Sequence, residues 1–288
     1  MKAVISELVW LNGKVQPLSQ ARVGLEDRGF NFADGVYEVV RFYRGKTFTL
    51  DEHMQRLMRS AEAIHIKLPL SLEKLKAEIR QFIETTAIRE GMVYLQLTRG
   101  EAPRSHPFPL NAIPTLFFYA RPVPTPWIPG AGEGCHVISV EDERWQRCWI
   151  KSLALLPNIL AKNQAVTAGC DEAVFVHEGK VTECCSSNIF CVRGETVITC
   201  PVGAKVLPGI TRLVVLRVAN ELGIIIEETA LEVAGAMAAD EVFITSTTRE
   251  LNWVKTWDKK QIGNGTCGPI THKLHEAYVR QVLRETAD

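Results

Sequence analysis

Glu183-Cys184-Cys185-Ser186-Ser187-Asn188-Ile189-Phe190, then Val197-Ile198-Thr199, then Leu207-Pro208-Gly209-Ile210-Thr211-Arg212 form the stretch around which the chain is organised. Its parts can be read one at a time. Asn188–Val192 and Thr196–Thr199 are short apolar strands across the tight turn Arg193-Gly194. Glu183 ends the preceding hairpin strand, which turns at Glu178-Gly179. Leu207-Pro208-Gly209 leads directly into a helix over Ile210–Leu222, stopped by Gly223. Amides exposed in a first helical turn bind phosphate, helped by the helix dipole and by a glycine that permits close approach.

Working outward, strands are expected at Cys135–Val140, Ala173–Val176, Ile224–Glu227 and Glu241–Thr245, and helices at Pro157–Ala168 and Pro269–Glu285. Ser246-Thr247-Thr248 places three hydroxyls at a strand end, which alone reads as a cap or turn. Lys151 sits in Cys148-Trp149-Ile150-Lys151-Ser152-Leu153-Ala154-Leu155-Leu156. An amine among so many apolar neighbours either snorkels or serves as a nucleophile.

The first half opens with strands around Leu8–Asn12 and Lys14–Pro17, followed by Val36–Tyr43 and Lys46–Thr49. Met54, Leu57, Met58 and Ala61 recur at helical spacing, and a second amphipathic helix starts at Ser71. Met92–Thr98 and Thr115–Ala120 complete an α+β layer. Arg28-Gly29-Phe30-Asn31-Phe32-Ala33-Asp34-Gly35-Val36-Tyr37-Glu38 reads as a tight turn entering a strand. In the rigid loop Arg99–Pro109, Arg104 and His106 alternate and so point the same way, a pair able to hold a carboxylate. The alternating prolines of 121–126 read as a stiff linker between a smaller N-terminal domain, 1–120, and a larger C-terminal mixed α/β domain, 127–288.

The 288 residues carry 33 basic and 33 acidic groups, which gives no basic excess for a nucleic acid. Residues 1–120 hold 16 basic and 13 acidic groups and 121–288 hold 17 and 20, so neutrality conceals opposed halves of +3 and −3. No apolar run approaches the ~18 residues of a membrane helix. Met1-Lys2-Ala3-Val4-Ile5-Ser6-Glu7 meets acid too soon for a signal peptide. Eight cysteines without a C-x-x-C pair suit reduced thiols in a cytoplasmic protein. His272 and His275 read as a solvated helix face, and no metal site is expected.

Together these segments resemble the fold-type IV, pyridoxal-phosphate-dependent aminotransferases. The resemblance runs through Glu183 to Arg212 and covers nearly the whole chain. Glu26–Val40, Thr98–Pro109 and Arg147–Leu153 draw it toward the branch acting on D-amino acids, with the Arg-x-His loop as the discriminating element. The resemblance implies a two-domain fold whose larger domain is a pseudo-barrel. It implies that Lys151 forms the Schiff base with pyridoxal 5'-phosphate and shuttles the proton, and that Glu183 faces the pyridine nitrogen. Arg56, Ile210, Thr211, Ser246 and Thr247 would surround the phosphate, and Leu207 would pack on a ring face. Tyr37, Arg104 and His106, with Arg28 nearby, would hold the substrate carboxylate. It further implies a homodimer in which the Arg104/His106 loop reaches the neighbouring site, with D-alanine, D-glutamate, pyruvate and 2-oxoglutarate as substrates.

Two other readings stay open on sequence. One is a branched-chain L-amino-acid aminotransferase or (R)-amine transaminase of the same fold. The other is a non-enzymatic small-molecule binding protein, against which the presence of both Lys151 and Glu183 weighs. Cys184-Cys185 stands where such proteins usually carry small residues, often Gly-Ser, so these thiols bear on side-chain preference and on sensitivity to oxidants.

Overall fold

A computed structural model describes residues 7–125 and 128–287. Residues 1–6 of the opening stretch and Pro126 of the proline linker lie outside the described residues. The chain separates into two compact units, one of Met1–Thr125, Ile150–Ala154 and Thr286–Asp288, the other of Pro126–Trp149 and Leu155–Glu285. Ile150–Ala154, which carries Lys151, therefore packs with the first unit although its numbering falls within 127–288. The physical reason is local: Ile150 is buried in the first unit's core, and the backbone around it bonds to a strand there.

In the first unit the elements are β1 (Leu8–Leu11), β2 (Lys14–Pro17), α1 (Arg28–Phe32), β3 (Gly35–Tyr43), β4 (Lys46–Thr47), α2 (Leu50–Ala63), α3 (Leu72–Thr85), β5 (Gly91–Thr98) and β6 (Thr115–Pro122). The six strands form one antiparallel sheet in the order β2-β1-β6-β5-β3-β4. Both long helices form where the sequence predicts them. Met54, Leu57 and Ala61 of α2 and Leu75, Ile79 and Phe82 of α3 turn inward onto Val40, Leu95 and Phe118 of the sheet. The segment read as a tight turn at 28–32 is instead a short helix. Asp27 caps it by accepting the Gly29 amide at 2.8 Å, and Ala33 ends it in the left-handed region at φ 54°.

The second unit holds β7 (Cys135–Glu141), α4 (Leu156–Thr167), β8 (Glu172–His177), β9 (Lys180–Cys184), β10 (Asn188–Arg193), β11 (Thr196–Thr199), α5 (Ile210–Glu221), β12 (Ile225–Glu228), α6 (Val233–Met237), β13 (Glu241–Ser246), β14 (Glu250–Trp257), β15 (Lys260–Gln261) and α7 (Pro269–Glu285). Its sheet runs β12-β11-β10-β13-β14-β7-β8-β9, with β15 paired to β14. β9 and β10 are far apart in that order, yet only Cys185–Ser187 separates them in sequence. The sheet must therefore curl until these strands meet, as an open barrel does. This meeting point carries Glu183 and Asn188. Among the described residues no helix is long and apolar enough to cross a membrane.

Leu57 is fully buried between α2 and the sheet. Leu57→Ala is expected to cost about 2–5 kcal/mol, read as a lowered midpoint in denaturant unfolding.

Candidate active site

Lys151 is held against β3 by the backbone. Its carbonyl accepts the Tyr37 amide at 3.0 Å, Leu153 donates to the Gly35 carbonyl at 3.0 Å, and Val36 bridges Ser152. The Lys151 amide donates to Ser60 Oγ of α2 at 3.2 Å. Its Nζ lies 4.2 Å from the centre of the Tyr37 ring, within cation–π range. Gly35 is required at this join, since a Cβ would stand 2.6 Å from the Leu97 carbonyl oxygen and 2.7 Å from Leu153.

Behind this join lies a buried triad. Arg56 donates from Nε and from one terminal nitrogen to Glu38, at 2.7 and 2.9 Å, and His53 Nδ1 lies 2.8 Å from Glu38 Oε2. Burial pushes the Glu38 carboxyl up, but the charges of Arg56 and His53 and their hydrogen bonds outweigh it and hold Glu38 well below the usual range.

The Arg104/His106 loop is braced from its own unit. Arg28 donates to the carbonyls of Ser105 at 2.5 Å and His106 at 3.3 Å, and to Asp34 at 2.7 Å. Asp34 also takes two bonds from Arg99, at 2.8 and 2.9 Å. The side chains of Arg104 and His106 are exposed, and both approach the Phe32 ring, at 5.0 and 5.7 Å from its centre. Arg28 thus grips the loop's backbone, while Arg104 and His106 share one side of it.

In the second unit Glu183 is the centre of a charged network. Arg144 donates to Glu183 Oε1 at 2.5 Å and clasps Asp142 with two bonds of 2.9 and 2.8 Å. Asn188 and the Leu207 amide each donate to Glu183 Oε2 at 3.0 Å, and Asn188 also donates to the Leu207 carbonyl at 2.9 Å. Leu207 is thereby tied to Glu183. Ile210 and Thr211 form the first turn of α5, whose preceding Gly209 supplies no side-chain cap. A Cβ on Gly209 would strike Asn188 Oδ1 at 2.0 Å, so the close approach needs glycine. Asn188 pairs opposite Thr245 across β10 and β13, which brings the Ser246-Thr247 turn to the same end of the sheet.

Cys184 and Cys185 are buried. Cys185 and Ser186 donate to the buried Glu172 carboxylate, Ser186 at 2.7 Å. Burial and the neighbouring Glu172 push the Cys185 thiol up to about 12, and burial pushes Cys184 up as well. Both are therefore thiols at neutral pH, without the thiolate that oxidants attack.

Sequence reasoning missed Glu38, His53, Asp142 and Arg144, which make the buried hydrogen bonds around Arg56 and Glu183. One signal was present for Glu38. It shares the core-facing phase of β3 with Val36 and Val40, and a carboxylate in that phase requires a buried partner.

The Amino-transferase class IV family matches residues 35–257. The chain belongs to the class IV aminotransferases. D-alanine aminotransferase of Bacillus licheniformis is 42% identical over 279 residues, 97% of this chain and 98% of that protein. D-alanine aminotransferase of Listeria monocytogenes serotype 4b is 43% identical over 281 residues, 96% of each. Among solved structures, Escherichia coli branched-chain amino acid aminotransferase superposes with a TM-score of 0.88 at 26% identity, over 98% of this chain and 96% of that one. The branched-chain amino acid aminotransferase of Thermobaculum terrenum, in its PLP form, gives 0.86 at 25%, over 98% and 95%. The fold-type IV architecture expected from the sequence is therefore the one present.

Asp34, Glu38 and Asp142 share a pH signature. Burial raises each carboxyl, but arginine hydrogen bonds and charge bring all three below their ordinary values. A carboxylate depressed on folding contributes stability that is fully present above its unfolded value and lost as pH falls through its folded value. Unfolding free energy is expected to hold from pH 7 to about pH 5 and to fall progressively below roughly pH 4, as followed by denaturant titration at each pH.

Proposed function

We propose that the protein is a pyridoxal 5'-phosphate-dependent transaminase that moves the amino group of D-amino acids, D-alanine and D-glutamate among them, to 2-oxo acids such as 2-oxoglutarate and pyruvate. The observation that carries the choice of substrate is the 42–43% identity, over nearly the full chain, to D-alanine aminotransferases. The branched-chain enzymes share the fold at 25–26%.

The residues fit the cofactor in kind. They comprise an amine, a carboxylate locked by an arginine, an uncapped helix start and a buried guanidinium. Bound there, the cofactor supplies an electrophilic carbon and an electron-accepting ring on which the amino group is carried. Glu183, paired with Arg144, would hold a proton at the pyridine nitrogen. Arg56, the Ile210 and Thr211 amides, Ser246 and Thr247 would bind the phosphate. Leu207, tied to Glu183, would pack on a ring face.

Lys151 Nζ would bond the cofactor at rest; once the substrate's own amine has displaced it from that bond, the freed amine would take the proton from the substrate Cα. Its backbone, clamped to β3, limits where that amine can reach. Tyr37, Arg104 and His106 would hold the substrate carboxylate, with Arg28 setting the loop. A fixed carboxylate decides which face of Cα meets the amine, and so the stereochemistry.

In this reading the protein works as a cytoplasmic homodimer whose Arg104/His106 loop serves the neighbouring site. The exposure of Arg104 and His106, and of the nearby apolar Leu110 and Ile113, supports it.

The test is transamination of 2-oxoglutarate by D-alanine, L-alanine, L-leucine and an achiral amine. Turnover with D-alanine alone, or far above the rest, is expected; turnover confined to L-leucine or the amine would overturn the reading. Lys151→Ala should abolish turnover, and Arg104→Ala should raise KM for D-alanine by about tenfold or more with kcat less affected. Wild-type kinetics in either variant would remove that residue from its role.

A further inference from the structure

We propose that Glu38 and His53 are positioning residues that set the guanidinium of Arg56 for the cofactor's phosphate. The inference rests on the reading of Arg56 as a phosphate ligand.

Glu38, His53 and Arg56 are 0%, 2% and 3% exposed, so their arrangement is imposed by the interior and not by water. Arg56 meets Glu38 through two parallel hydrogen bonds, of 2.7 and 2.9 Å. A planar fork on a carboxylate fixes both the plane and the direction of the guanidinium. His53 and Arg56 stand three residues apart on α2 and so share a face. His53 Nδ1, 2.8 Å from Glu38 Oε2, gives a second hold on the oxygen that also accepts from the terminal nitrogen of Arg56.

Three observations separate this triad from a packing accident. A buried ion pair costs desolvation that apolar side chains of similar volume avoid, so packing alone does not call for one. Glu38 adjoins Tyr37 on β3, whose amide holds the Lys151 carbonyl. The same short piece of strand therefore sets both the amine and the guanidinium. Finally, the charges around His53 are accounted for. Burial pushes its imidazole down, Glu38 pulls it back, and Arg56 and Lys151 push it down again, so it stays below its ordinary value. A carboxylate can only accept, so the Nδ1 of His53 carries the hydrogen of the bond to Glu38.

The test compares affinity of the full chain, cleared of cofactor, for pyridoxal 5'-phosphate and for pyridoxal, followed by absorbance. The ratio of the two affinities isolates the grip on phosphate; a merely structural defect weakens both together. Glu38→Gln and His53→Leu are expected to lower the ratio about tenfold and about fivefold, and His53→Asn, whose amide can still donate to Glu38, to restore it to within about twofold. An unchanged ratio in His53→Leu, or a loss in His53→Asn equal to that in His53→Leu, would overturn the proposal. If Glu38→Gln does not fold, the two His53 variants decide alone. Arg56→Gln separates the two levels. If it abolishes the preference for phosphate while the Glu38 and His53 variants keep it, only the positioning roles fail. If it keeps the preference, the phosphate role of Arg56 fails and the positioning roles fail with it.

Discussion

The attachment of Ile150–Ala154 to β3 is the constraint on which the site depends. Two backbone hydrogen bonds, from Tyr37 to Lys151 and from Leu153 to Gly35, fasten a segment from late in the chain onto a strand from early in it. Ile150 anchors the join in the core, and Ser60 of α2 receives the Lys151 amide. A backbone tied on both sides of one residue leaves mainly its side chain to move. Such an arrangement gives a reactive amine both reach and a defined origin.

Around it, charge is handled in one recurring way. Asp34 sits between Arg28 and Arg99, Glu38 between Arg56 and His53, and Asp142 and Glu183 on Arg144. Asp34, Glu38 and Asp142 are held below their ordinary values because a guanidinium compensates their burial. Each arginine is in turn held in one plane. Buried pairs of this kind add little net stability, but they orient. The chain's zero net charge thus coexists with concentrated, opposed charges at sites where anions and a pyridine nitrogen would be received.

What was legible in the sequence followed from local periodicity. Met54, Leu57 and Ala61 announce α2, Pro269 opens α7, and Gly209 with Ile210 marks the start of α5. What was not legible had non-local causes. Glu38 finds Arg56 18 residues away, and Arg144 finds Glu183 39 residues away. β14 was unread because its register shifts between Val254 and Thr256 and spoils the alternation. The five residues of α1 are too few for a helical period to show. No local pattern says that residues 150–154 leave their neighbours to join another core. The assignment of Lys151 and Glu183 came from resemblance, because a single apolar-flanked lysine and one strand-end acid do not specify a chemistry by themselves.

The central claim is that Lys151, placed by its clamp on β3, is the amine that bonds the cofactor. Its most direct measurement is borohydride reduction of the full chain in pyridoxal 5'-phosphate, followed by proteolysis and mass spectrometry of the fixed adduct. The account predicts one phosphopyridoxyl group, on the peptide containing Lys151, and its disappearance when D-alanine is added before reduction. Modification at a different lysine, or an adduct on Lys151 that D-alanine does not displace, would contradict it.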